Sequence, residues 1–391
     1  MKSQVILKAG KENPVKRFHP WIFSGAIARI QGKPSDGEVV TVLDSQKNYL
    51  ATGHYHEGSI AVKIFSFQET EGDQDFWTSK LQKAYDVRKQ IDFKDTDCYR
   101  LIHGEGDGCP GLVIDFYNGV AVFQAHSIGM HLEKEKISRA LQLIYGKDLV
   151  AVYDKSYETL PKEYAQTVKN AYLYGSCVVP HKVLENGQNF LIDWETGQKT
   201  GFFLDQRDNR ALLARFSKGK KVLNCFCYSG GFSIYALSAG AKLVHSVDVS
   251  QKAIELVNRN VEANEFEKSE HEAYAEDVMK YLKANDQIYD LIVLDPPAYA
   301  KSMDARHRAV QGYKRLNAEG MKRLAKGGIL FTFSCSQVVD RELFYNTVVA
   351  AALEAGRQVR VLHHLTQPAD HPVNFFHPEG SYLKGLVLYV E

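Results

Sequence analysis

Lys221-Val-Leu-Asn-Cys-Phe-Cys-Tyr-Ser-Gly-Gly-Phe232 decides the fold. An apolar run of strand length ends in a Gly-Gly turn, and the pattern beyond it is helical. Gly230 and Gly231 let the backbone turn tightly and approach a ligand at a strand-to-helix junction. Working outward, further strand candidates are Leu243-Val-His-Ser-Val-Asp248, Tyr289-Asp-Leu-Ile-Val-Leu294 and Gly328-Ile-Leu-Phe-Thr-Phe333. Helical patterns lie between them. Ser250 can cap one in which Ile254, Val257 and Val261 share a face. This alternation predicts an α/β fold with a parallel, doubly wound sheet. The alternation reads as stopping after Cys335. Gln358-Val-Arg-Val-Leu362 and Leu383-Lys-Gly-Leu-Val-Leu-Tyr389 have no helix of adequate length between them, which predicts a terminal antiparallel hairpin.

Upstream of the alternation the chain reads differently. The first ~75 residues carry short strands punctuated by Gly and Asp, such as Glu38-Val-Val-Thr-Val-Leu-Asp44 and Ile60-Ala-Val-Lys-Ile-Phe-Ser66, and suggest a small β-barrel. A helix is expected near Phe76 to Gln90. Residues from about Tyr99 to Val179 mix strands with one amphipathic helix near His131 to Ile144, as a middle α+β unit. At 391 residues, two or three domains are expected. The division read here is 1–75, 76–189 and 190–391. With 48 basic and 47 acidic residues, net charge does not announce a nucleic-acid partner. No apolar run reaches the roughly 18 to 20 residues of a membrane span, and no signal core opens the sequence, so a cytoplasmic protein is expected. Six scattered cysteines read as reduced thiols.

Several residues carry candidate chemistry. Asp248 closes the second strand, where a carboxylate can hold both hydroxyls of a ribose. The three-glycine dinucleotide fingerprint is absent, which disfavours NAD. Asp277, next to Glu276 after a third strand, could accept from an adenine amino group or cap a helix. Asp295-Pro-Pro297 follows the fourth strand at the ligand-binding edge. Asp295 could stabilise an adduct at a ring nitrogen of a base. Alternatively, Asp295-Pro-Pro-Ala-Tyr299 could hold an exocyclic amine on the Pro296 carbonyl and stack the base on Tyr299. Cys335, in Phe331-Thr-Phe-Ser-Cys-Ser-Gln337, is a candidate nucleophile, with a buried core cysteine as the plainer reading. Cys225 and Cys227 read as turn and packing residues. No second pair accompanies them, so no metal is expected.

These segments together resemble the bacterial large-subunit (23S) ribosomal RNA cytosine-5 methyltransferases. The resemblance rests on His19-Pro-Trp-Ile-Phe-Ser-Gly-Ala26, Arg100 to Leu112, Lys199-Thr-Gly-Phe-Phe-Leu-Asp-Gln-Arg207, Asn224 to Phe232, Asp295-Pro-Pro297, Ser334-Cys-Ser336, Asp370-His-Pro372 and Tyr382-Leu-Lys-Gly385. It implies a PUA RNA-binding domain, a middle domain and a class I methyltransferase domain. It implies S-adenosylmethionine as cofactor, held by a set drawn from Lys199, Thr200, Phe202, Gln206, Asn224, Phe226, Ser229, Gly230, Gly231, Asp248, Asp277 and Asp295. It implies Cys335 as the attacking thiol, Asp295 as its catalytic partner and ribosomal RNA as substrate. Cys227 and Ser229 depart from the generic methyltransferase turn, where glycine is common. Three functions therefore compete: cytosine-5 methylation of RNA, N-methylation of an RNA base, and a non-catalytic RNA-binding or assembly role. The proton-removing base stays open among Asp370, His371 and Glu379, and so does a homodimer.

Overall fold

The run Lys221–Cys225 is a strand, β1, with Val222, Leu223 and Cys225 buried. In the computed structural model, which describes residues 2–266 and 270–391, it lies inside a seven-stranded sheet. The other strands are β2 (Leu243–Asp248), β3 (His271–Ala275), β4 (Tyr289–Leu294), β5 (Leu324–Ser334), β6 (Val359–Leu365) and β7 (Lys384–Val390), in the order β3-β2-β1-β4-β5-β7-β6. Strands β1 to β5 pair in parallel. Strand β7 enters between β5 and β6 and is antiparallel to both, which is the terminal hairpin that the pattern predicts.

Six helices serve this sheet: α1 (Arg207–Ser217), α2 (Gly231–Ser238), α3 (Gln251–Ala263), α4 (Val278–Ala284), α5 (Arg306–Lys322) and α6 (Arg341–Ala355). Each capping residue has a local reason. Ser250 accepts from Ala253 N at the start of α3, Asp277 from Lys280 N at α4, and Asp340 from Leu343 N at α6. The alternation does not stop at Cys335. Helix α6 follows β5, and its Phe344, Thr347, Val348, Ala351 and Ala352 are buried. Reading the end of the chain from its two strands overlooks the helical spacing of these residues. Tyr313, Leu316 and Met321 of α5 and Phe344 and Val348 of α6 share one core with Ile292, Leu294, Leu330 and Leu388 of the sheet.

The chain forms two compact units, each discontinuous in sequence. The sheet just described belongs to the unit of Leu184–Leu191, Asp205–Pro368 and Ser381–Glu391; the other comprises Met1–Val183, Ile192–Leu204 and Ala369–Gly380. This other unit, which opens the chain and is the first of the two, holds a six-stranded and a five-stranded sheet. The six-stranded sheet runs in the order Trp21–Phe23, Ile60–Ser66, Tyr49–Tyr55, Val39–Leu43, Gln4–Leu7, Ile27–Gln31. The five-stranded sheet runs Ala171–Gly175, Ala151–Asp154, Val120–Ala125, Leu112–Tyr117, Cys98–His103. Phe65 of the first sheet and Trp77 of the helix Gln74–Arg88 pack in one core with Ile114 and Phe123 of the second. The helix expected near His131 to Ile144 is two, Ile128–Leu132 and Lys134–Tyr145. The break falls at Glu133, whose carboxylate accepts from Trp77 Nε1 (3.0 Å) and Lys136 Nζ (2.7 Å). Among the described residues no helix is long and apolar enough to cross a membrane.

Candidate active site

The parallel strands β1, β2, β4 and β5 deliver their last residues, and the loops after them, to one edge of the sheet. The loop after β1 has a strained backbone. Phe226 (φ 58°) and Tyr228 (φ 45°) take the left-handed conformation, as does Gly230 (φ 79°). Bulky L residues rarely adopt it, and such strain gathers at ligand sites where the surroundings enforce it. The enforcement is visible here. Cys227 N donates to Val247 O (3.2 Å), Tyr228 N to Asp248 Oδ2 (3.0 Å), and Asn260 Nδ2 to Ser229 O (2.8 Å). A Cβ on Gly230 would lie 3.1 Å from Val257, and one on Gly231 would lie 2.9 Å from the Arg210 side chain, so a side chain at either position would crowd a neighbour inside the fold. Asn224 is buried and donates to Ser233 Oγ (2.8 Å), which bonds Ser246 and through it His271.

Asp248 is half-buried at the end of β2. Its two oxygens accept from Tyr228 N (3.0 Å) and Ser250 N (2.9 Å). A carboxylate oxygen accepts more than one hydrogen bond, so both retain capacity toward a diol. Asp277 is exposed, and its carboxylate caps α4. A carboxylate with spare acceptor capacity beside a backbone loop held in left-handed geometry suits the ribose of an adenosyl group. The chemistry of the residues present therefore fits such a cofactor.

At the end of β4, Asp295 Oδ2 accepts from Gln206 Nε2 (3.0 Å). Burial, then the neighbouring Asp205 carboxylate, pushes the Asp295 carboxyl up to about 7. Asp205 is itself hydrogen-bonded by the Tyr382 hydroxyl (2.6 Å). Cys335 follows β5 between two buried serines. Ser336 Oγ is bonded to the Tyr313 hydroxyl (3.0 Å) and accepts from Ala300 N (3.4 Å), which fixes the backbone beside the thiol. Burial, then the charges of Asp295 and Asp205, pushes the Cys335 thiol up to about 11, while Lys384 pulls it down. Lys384 opens β7 opposite Ser334 and donates to Ser336 O (2.8 Å). Burial lowers its ammonium to about 8, with the Cys335 charge acting the other way. The arrangement offers a thiol, a carboxyl that titrates near neutrality and an ammonium around one strand end.

Residues 99–378 match the family described as S-adenosylmethionine-dependent methyltransferase, and residues 5–67 match a PUA-like domain. The chain belongs to this methyltransferase family. It is 42% identical over 397 residues to the "Ribosomal RNA large subunit methyltransferase I" of Pseudoalteromonas translucida, with 100% of both chains covered. It is 39% identical to the protein of the same name in Aeromonas hydrophila, with 99% of both covered. Among solved structures, a chain from Streptococcus mutans aligns over 100% of both with a TM-score of 0.84 at 24% identity. A chain solved in complex with SAH aligns equally fully, with a TM-score of 0.85 at 24% identity. These two likenesses carry the fold: a PUA-like domain and a class I methyltransferase sheet. The methyltransferase is an enzyme, and S-adenosylmethionine is its cofactor.

Several of the remaining candidates of the methyltransferase fall in the first unit. Lys199 has a left-handed backbone (φ 53°), and Phe202 is buried. Thr200 is buried, with its hydroxyl bonded to the Asp115 carboxylate and to the Tyr117 hydroxyl (3.0 Å). Asp370 and His371 are buried there too and bond each other (2.9 Å), with Asp370 Oδ2 accepting from Arg100 N (3.0 Å). Glu379 pairs with His377. Cys225 and Cys227 are buried, and burial raises both thiols. Asp205 and Lys384 join the site through the fold, beyond the candidates visible in the sequence. A lysine opening the otherwise apolar run Lys384–Val390 was the available signal, because an unpaired ammonium in a buried strand is costly.

Proposed function

We propose that this methyltransferase modifies large-subunit ribosomal RNA, as its relatives' names state for them, and that it methylates carbon 5 of a cytosine through a transient bond to Cys335. The observation that carries the reading is the grouping of Cys335, Asp295 and Lys384 about the β5 strand end. Carbon 5 of a pyrimidine is a poor nucleophile until a thiolate adds at carbon 6. The Cys335 proton passes to the Asp295 carboxylate, and the thiolate adds to carbon 6. The displaced electron pair reaches N3, which takes the proton from Asp295. Asp295 suits this relay because its affinity for a proton lies near neutrality. Lys384 stabilises the thiolate and, through Ser336 O, orients the backbone that carries it. Carbon 5 then takes the methyl group, a base removes its proton, and Cys335 departs as the thiolate while N3 returns its proton to Asp295.

S-adenosylmethionine supplies an electrophilic methyl group. In this reading Asp248 holds its ribose and Asp277 lies near its adenine, with Asn224, Phe226, Ser229, Gly230 and Gly231 forming the loop beneath. Gln206 belongs to the same proposed set, and residues 1–75 form the RNA-binding module. RNA carrying 5-fluorocytosine tests the mechanism, because fluorine cannot leave as the proton does. Wild-type enzyme with cofactor should give a denaturation-resistant protein–RNA band. Cys335→Ala should give none and lose turnover, with cofactor affinity near wild type. Methylation at the wild-type rate by Cys335→Ala would sink the nucleophile and promote N-methylation through Pro296 and Tyr299. The packing of Tyr299 on Tyr313 (4.6 Å between ring centres) leaves that second reading less room.

A further inference from the structure

Four phenylalanines stand out of the first unit: Phe18 is 48% exposed, Phe23 50%, Phe376 49% and Phe375 91%. They are linked, not scattered. Phe18 meets Phe376 with ring centres 5.3 Å apart, and Phe376 meets Phe375 at 5.7 Å. Phe23 joins through His19 (6.4 Å), which lies 5.3 Å from His377. An apolar patch of this kind on a soluble chain marks a binding surface.

The rings are held outward by structure. In Asn374-Phe-Phe-His377 the two flanking residues are anchors. Asn374 Oδ1 accepts from Phe376 N (2.9 Å) and its Nδ2 donates to Glu105 O (3.1 Å). His377 is buried and packs on Trp21 with ring centres 4.2 Å apart, and Trp21 Nε1 donates to Glu105 Oε1 (2.9 Å). Phe18 takes a left-handed backbone (φ 62°) just after the short helix Asn13–Lys16, a conformation that a bulky residue adopts only when the surroundings impose it. A loose hydrophobic loop would fold its rings inward. These rings are pinned in solvent.

Charge selects the partner. Arg17 directly precedes Phe18 and is exposed, and Lys16 before it is exposed too, though its ammonium lies 3.6 Å from the Glu12 carboxylate. Flat aromatic faces beside cations match unpaired nucleotides, whose bases stack and whose phosphates pair with Lys and Arg. The geometry points to a stacking platform for single-stranded RNA, made of Phe18, Phe23, Phe375 and Phe376 with Lys16 and Arg17 at its rim. The inference rests on the proposed RNA substrate and adds that the enzyme grips an unpaired segment through base stacking.

The test uses the full chain, a fluorescent unpaired RNA of about 12 nucleotides and a duplex of the same length. Phe375→Ala combined with Phe376→Ala should weaken unpaired RNA about 30- to 100-fold, roughly tenfold per stacked ring. Its dependence on salt should stay as in wild type. Phe375→Trp with Phe376→Tyr should keep the affinity. Arg17→Ala should instead flatten the salt dependence, by about 0.7 in log–log slope for a lost phosphate contact. Calorimetry with S-adenosylmethionine checks that each variant is folded. Unchanged affinity for unpaired RNA in the double alanine variant, with cofactor binding intact, overturns the platform alone. Equal losses on duplex and unpaired RNA also overturn it, as does a change only in self-association, which would make the patch a contact between copies. Wild-type protein that binds neither RNA and methylates none overturns both the platform and the proposed substrate.

Discussion

Two enclosed carboxylates of the first unit and one of the second are treated in opposite ways. In the first, Asp107 receives two nitrogens of Arg88, and Asp115 receives Arg100 Nε (2.8 Å) and Nη2 (2.9 Å). Both side chains are at most 5% exposed, and each faces a full positive charge in bidentate geometry. In the second, Asp295 has the uncharged amide of Gln206 as its hydrogen-bond donor and a second carboxylate, Asp205, as a neighbour. Arginine is available there: Glu185 holds Arg210 through two bonds (2.8 and 2.7 Å). The difference lies in what each carboxylate is for. A structural carboxylate is kept ionised by a cation. One that must gain and lose a proton near neutrality is enclosed beside a like charge, and the charge of Arg210, itself bonded to Glu185, offsets this only in part.

Four substitutions, the first with Asp107→Asn as its compensating partner, break or sharpen this contrast, in falling order of effect. Arg88→Ala leaves Asp107 enclosed and unpaired and should cost about 3–5 kcal/mol by urea denaturation. Asp107→Asn should restore part of that loss, whereas a loss under about 1 kcal/mol would make the pair no different from a surface one. Asp295→Asn should act in the opposite direction and depend on pH. The Asp295 carboxyl binds its proton more tightly in the folded chain than in the unfolded one. Its stabilising contribution is therefore complete below the unfolded value near 4 and is lost as pH rises through about 7. The variant should match the wild type at low pH and exceed it by roughly 2–4 kcal/mol above pH 7. Parallel stability–pH curves for the two proteins would remove Asp295 from the exceptional class.

Asp248→Ala should lower cofactor affinity by about 1–3 kcal/mol in calorimetry, with a smaller effect on stability. An unchanged affinity would leave Asp248 as a loop anchor for Tyr228 and Ser250 only. The smallest effect belongs to Asp277→Ala. Loss of the α4 cap should cost about 1 kcal/mol of stability. Any parallel loss of cofactor affinity would report a contact with adenine, and none would leave the cap as its whole role.

What could be seen in the sequence follows from range. The alternation from Lys221 to Phe333 is visible because strand runs and helical spacing are local, and Ser250 and Asp277 cap helices that begin one residue later. The edge residues Asp248, Asp295 and Cys335 are visible as chemistry placed just after strand-forming runs. Lys384 was not, because its meaning comes from β7 lying antiparallel beside β5, which sets it opposite Ser334. Thr200 stands beside the glycine-rich segment before the sheet, yet its hydroxyl partners are Asp115 and Tyr117, far upstream. Phe226 and Tyr228 carry the positive φ values of the β1 loop, where local rules expect glycine. Only the network around the loop explains them.

The segment Ala369–Gly380 lies in sequence between β6 and β7 but belongs to the first unit. There Asp370 takes the backbone N–H of Arg100, and its carbonyl takes Arg88 Nη2 (2.8 Å). Among the described residues strand β6 pairs with β7 alone. Neither unit therefore has all its parts until translation has passed residue 370. At synthesis rates of about 5–20 residues per second, Arg100 waits roughly 15–55 s for Asp370 after leaving the peptidyl transferase centre. Until then the first unit lacks its last segment, and β5 and β6 lack the strand that stands between them. A ribosome stalled late in the message would thus release a product defective in both units at once.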